Sequence, residues 1–163
     1  MHPPGPAPRE GERRIAPAGA TLVVGLGRPS GGDDAVGLLV ASRLQEQGIP
    51  ALRVTDAASL IELLLVAERA IVLDAVVGGG PPGSIVTLTG DEVAGRGSAV
   101  PVSSHALSVA GAVAIARTLG GAAEVHVIGV SIPPPSGSVE MSAEVRAAVE
   151  PAAERARELF SQG

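Results

Sequence analysis

The sequence predicts an α/β fold: a three-layer α/β/α sandwich around a mostly parallel five-stranded sheet with one antiparallel strand. Three observations carry this expectation. Apolar, β-branched runs alternate with segments of helical periodicity, the pattern of βαβ units. The runs are apolar at successive rather than alternate residues, as expected of strands covered on both faces. Only "GGGPPG" separates the third run from the fourth, too little for a helical crossover, so the fourth strand runs antiparallel to its predecessor.

Each element follows in order. Residues 1–19 are rich in Pro, Gly and charge, lack periodicity, and read as a flexible tail; residues 20–163 form one domain. "ATLVVGL" is the first strand. "DDAVGLLVASRLQEQG" is a helix with Val36, Leu39, Val40 and Leu44 on one side and Gly48 as its stop. "IPALRVTD" is a second strand, "ASLIELLLVAE" a short helix, and "RAIVLDAV" a third strand ending at Asp74. After the Gly/Pro turn, "SIVTLTG" is the fourth strand and "DEVAGRGSAVPVSS" a loop long enough to suggest function. "HALSVAGAVAIARTLGG" is a helix capped by Ser103 or Ser104, and "AEVHVIGVSI" the fifth strand. A proline-rich loop then leads to a last helix, which Pro151 kinks or interrupts.

Composition excludes several functions. Phe160 is the only aromatic residue, so the core is aliphatic and nothing is available to stack on nucleic-acid bases. A net charge of −5 disfavours phosphate backbones as partners. The absence of cysteine removes disulfides, thiolate nucleophiles and thiolate metal sites. The first residues lack the apolar centre of a signal peptide, and no apolar run reaches the length of a membrane span. The expectation is a cytoplasmic protein with neither nucleic-acid nor membrane partners.

Ligands of open α/β sheets bind outside the carboxyl ends of the strands. The first strand delivers Asp33 and Asp34 to that edge, the third delivers Asp74, and the loop before the third helix delivers His105. Carboxylates with an imidazole can hold a divalent transition metal with open positions, or do general acid–base work. Singly, each residue has a plainer reading. Asp33 reads as the N-cap of the first helix, Asp34 as a first-turn acid favoured by the dipole, and His105 as an ordinary helix-start histidine. Asp74 is harder to set aside, because a carboxylate behind four apolar residues is desolvated unless paired, although an Asx turn would also use it. His126 alternates within the fifth strand and faces one side of it.

In combination, four segments resemble the hydrogenase maturation endopeptidases. "GLGRPSGGDDAVG" is similar to their first signature, "VLDAVVGGGPPGSIV" to the second, and "SSHALSVAGAVAIA" to the third. "VIGVSIPPPSGSVEMSAEVRAAV" resembles their closing strand, loop and helix. The likeness runs from Thr21 to Phe160. It implies a peptidase that removes a C-terminal extension from the large-subunit precursor of a nickel–iron hydrogenase after nickel insertion. It also implies that Asp34, Asp74 and His105 contact the nickel, supplied by the precursor, and carry the catalysis, while Asp33 shapes the loop and caps the helix. The sequence departs from the family at Arg28, where Asn is usual, and at Ala35, where Gly is usual. Two other classes remain: a non-cleaving chaperone or adaptor for a metalloprotein precursor, and a nucleotide- or phosphate-binding module. The second lacks both a dinucleotide fingerprint and a P-loop, and two carboxylates after its loop would repel phosphate.

Overall fold

The computed structural model describes residues 19–95 and 109–163. The expected tail, the Ser103 or Ser104 cap and His105 therefore lie outside the described residues. Five strands form one sheet in the order β2-β1-β3-β5-β4. They are β1 (Thr21–Leu26), β2 (Ala51–Val54), β3 (Arg69–Val77), β4 (Ile85–Thr89) and β5 (Glu124–Ile132). The β1–β2, β1–β3 and β3–β5 pairs are parallel, and β4–β5 is antiparallel. Helices α1 (Val36–Glu46), α2 (Ala57–Val66), α3 (Gly90–Gly95), α4 (Val109–Thr118), α5 (Ala143–Ala147) and α6 (Val149–Ser161) complete the described elements.

Successive residues of the central strands serve opposite cores, which is why their apolar runs are continuous. Val23, Ile71, Leu73, Ile128 and Val130 face α1, α5 and α6, meeting Val40, Leu44, Ala152 and Ala156. Leu22, Val24, Ala70, Val72 and Val127 face the other way, onto Leu60 and Leu64 of α2, Val93 of α3 and Val113 of α4. The expected three-layer sandwich, with helices on both faces of a mixed sheet, is what forms.

Local chemistry explains the boundaries. Gly48, at φ +82°, turns the chain out of α1. Asp56 caps α2, its carboxylate accepting from the Ser59 N–H at 2.8 Å and the Ser59 hydroxyl at 2.9 Å. The last helix is interrupted at Ala148, between α5 and α6. Pro151 has no N–H to give the Ala147 carbonyl four residues back, and its ring crowds that carbonyl.

Three expectations need correction. Strand β3 does not end at Asp74 but continues to Val77, because β5 pairs with it along its whole length. Strand β4 runs antiparallel as expected, yet its partner is β5, which lies between it and β3. The segment read wholly as loop opens with α3. That helix is one short turn carrying a single buried apolar side chain, Val93, and so leaves no periodicity to read.

Candidate active site

The chain leaves β1 through α1 to β2 on one side, then returns through α2 to β3 on the other side of β1. This reversal opens a crevice beyond the carboxyl ends of β1 and β3, the usual ligand position in such sheets. Asp34 and Asp74 both lie at that crevice.

Asp34 arrives on a short 3-10 turn, Gly32–Ala35, that precedes α1. The turn is held close to the sheet by glycines. A Cβ on Gly37 would lie 2.3 Å from the Leu26 carbonyl oxygen and 2.4 Å from that of Leu73, so α1 presses its backbone directly onto β1 and β3. The loop before it also closes on itself: the Arg28 N–H donates to the Asp34 carbonyl at 3.4 Å, and the Gly31 N–H to the Arg28 carbonyl at 3.1 Å. The Arg28 guanidinium donates to the Asp34 carboxylate at 2.9 Å.

Asp74 sits in register with Gly129 of β5, on the α2–α4 face of the sheet. Val76 and Val86 close over Gly129, where an added Cβ would lie 2.5 Å from one and 3.1 Å from the other. The residue keeps some accessible surface, and protein crowds its carboxyl group. Burial pushes that carboxyl up to about 7, the Ala75 N–H opposes the rise, and the negative charge of Asp34 adds to it. The two carboxylates are therefore close enough to feel each other. Among the described residues no set of three His, Cys, Asp or Glu side chains gathers to hold a metal. What is present is a carboxylate pair, oxygen ligands suited to a divalent ion that has further donors elsewhere. His105, expected as the third member, falls outside the described residues.

Asp33 does something other than expected. Neither the 3-10 turn nor α1 has a side-chain cap. Instead the Asp33 carboxylate reaches 109 residues along the chain, accepting from the Ser142 N–H at 2.7 Å and from the Ser142 hydroxyl at 3.0 and 3.2 Å. It satisfies the start of α5, not of α1, and fastens the proline-rich loop to the first loop. Gly32 lets the two loops touch: at φ +58°, a Cβ there would lie 2.5 Å from the Ser138 carbonyl. A cavity of about 230 Å³ opens between the loops, lined by Arg28, Asp33 and Asp34 on one side and by Pro133, Ser136 and Glu140 on the other. Sequence reasoning missed Ser142, because nothing local marks a serine as the partner of so distant an acid.

His126 lies at the opposite end of the sheet, in register with Ile71, with its Nε2 2.7 Å from Glu124 Oε1. It takes no part in the crevice.

Comparison with known proteins agrees with this architecture. The sequence model of the hydrogenase maturation protease family matches residues 53–159. Protein FrxA of Pyrococcus furiosus is 29% identical over 136 residues, covering 81% of this chain and 98% of FrxA. The nickel–iron hydrogenase maturation protease HybD of Thermococcus kodakarensis superposes with a TM-score of 0.72 at 30% identity, over 86% of this chain and 98% of that one. The hydrogenase maturating endopeptidase HybD of E. coli has a TM-score of 0.74, over 87% and 92% of the two chains; at 22% identity it speaks for the fold alone. With two thirds of its length matched by the family model, a relative of 30% identity along nearly its whole domain, and the family's fold, this chain belongs to the hydrogenase maturation proteases and is a peptidase.

Proposed function

We propose that this chain removes a C-terminal extension from the nickel-loaded large-subunit precursor of a nickel–iron hydrogenase, in the cytoplasm. The observation that carries the reading is the convergence of Asp34 and Asp74 on the crevice between β1 and β3 in a member of this family. Separate segments bring two carboxylates together there, one of them held at an energetic disadvantage by burial, as expected where chemistry and not packing sets the residue type.

In this reading the nickel belongs to the substrate. Asp34, Asp74 and His105 occupy its open positions when the precursor docks, so only a loaded precursor is held in register for cleavage. Two oxygen donors and one imidazole bind a free ion weakly but complete a sphere that the precursor has mostly filled. Hydrolysis then needs a base for the water attacking the scissile carbonyl. One of the two carboxylates is the group available for that task, and Asp74 must in any case be ionised before the site can engage the ion. Engagement of the ion requires both carboxylates ionised and so releases the proton of Asp74.

The test is incubation with purified precursor, with and without nickel, read by intact-mass spectrometry. Loss of a C-terminal peptide from the loaded form alone is the expected result. Stable binding to the loaded precursor with no change of mass would replace the peptidase reading by the adaptor one.

A further inference from the structure

Arg28 is a cation placed on a proposed ligand. Its Nη2 donates to Asp34 Oδ2 at 2.9 Å, and the Asp34 side chain is only 14% exposed against 47% for Arg28. The pair is built by the loop. At Gly31 an added Cβ would lie 3.0 Å from Arg28 Cβ and 2.9 Å from Asp34 Cβ, so glycine alone lets the two side chains leave the loop side by side. Backbone bonds from Arg28 to Asp34 and from Gly31 to Arg28 fix both ends. The backbone on both sides of this ion pair is thus fixed, and the Arg28 side chain is what remains to be ordered.

A carboxylate oxygen engaged by a guanidinium must give up that bond before it can ligate a metal. We propose that Arg28 is the resting counter-ion of Asp34 and makes the site selective for a metal presented by the docked precursor over the free ion. This rests on Asp34 being a ligand. The physical basis is effective concentration. An ion fixed in a docked partner faces Asp34 at a local concentration of about millimolar or more, whereas a free ion arrives at its bulk concentration. One and the same displacement cost leaves the presented ion bound and lowers occupancy by the dilute free ion. Asparagine or glutamine in its place carries no charge and imposes no such competition.

The test is calorimetric titration of the isolated full chain with nickel chloride. Arg28→Asn and Arg28→Gln are expected to bind at least about tenfold more tightly than the wild type, a difference of about 1.4 kcal/mol. Adding Asp34→Asn to either variant should abolish the gain. Affinities within about twofold of the wild type, or no detectable binding by Arg28→Asn, overturn the proposal. So does loss of the fold in both variants, since that would make Arg28 a structural residue. Precursor cleavage separates the two readings. If Asp34→Ala abolishes cleavage but Arg28→Asn leaves nickel affinity unchanged, the counter-ion role fails and the proposed function stands. If Arg28→Asn tightens nickel binding through Asp34 while the wild type leaves the loaded precursor uncleaved, the proposed function fails and the counter-ion role stands.

Discussion

Replacing Asp74 by asparagine should stabilise the protein, and the gain should depend on pH. In the folded chain burial, helped by the charge of Asp34, raises the carboxyl from an ordinary 3.8 to about 7. Between those values the native state keeps a proton that the unfolded state has released. Stability contributed by that proton is complete below about pH 4 and is lost as pH rises to about 7, after which it changes no further. The full interval corresponds to at most about 4 kcal/mol, and the residue's partial contact with solvent reduces it to roughly 2–4 kcal/mol. Asparagine keeps the size and the acceptor for the Ala75 N–H but never ionises. At about 2–4 °C per kcal/mol for a domain of this length, Asp74→Asn should melt roughly 5–15 °C above the wild type at pH 8.5. Calorimetric melts of both proteins from about pH 4 to about pH 8.5 measure the difference, and groups that titrate alike in the two cancel. A difference that stays constant with pH, or a variant less stable than the wild type at the alkaline end, would refute the account of Asp74. The same variant should lose cleavage, an exchange of stability for function common at active sites.

Further outcomes follow from the same geometry. Asp33→Ala removes the acceptor of three hydrogen bonds from Ser142 and should cost about 2–3 kcal/mol in chemical denaturation. A double-mutant cycle with Ser142→Ala should show coupling of about 1 kcal/mol or more. Gly37→Ala would drive a Cβ into the Leu26 and Leu73 carbonyls. It should cost about 3 kcal/mol or more, or displace α1 and with it Asp34, lowering kcat/KM in any sample that still folds. The dependence of kcat/KM on pH should rise through about 7 as Asp74 of the free enzyme ionises, and a profile flat across neutrality would remove Asp74 from the site.

Much of this was legible in the sequence, for identifiable reasons. Strands buried on both faces leave continuous apolar runs, and β1 and β5 were read from them almost to the residue. The approach of Asp34 to Asp74 was also legible, because one follows β1 and the other stands on β3 beside the end of β1, at a reversal of strand order. The direction of β4 was legible from its tight turn, whereas its pairing with β5 depends on contacts remote in sequence. β5 shares nine register positions with β3 and occupies the edge that β4 would otherwise have taken. Asp33 was misread because an acid before a helix ordinarily caps that helix. Here Ser142 offers both an amide and a hydroxyl, and two loops remote in sequence close on each other. Local rules describe local competition, and this contact was decided elsewhere.

The central claim is that Asp34 and Asp74 together act on the precursor, and single-turnover cleavage of nickel-loaded precursor by the wild type, Asp34→Ala and Asp74→Ala tests it most directly. The account predicts release of the C-terminal peptide by the wild type and its absence, over the same interval, with either variant. Release at the wild-type rate by both variants would contradict it.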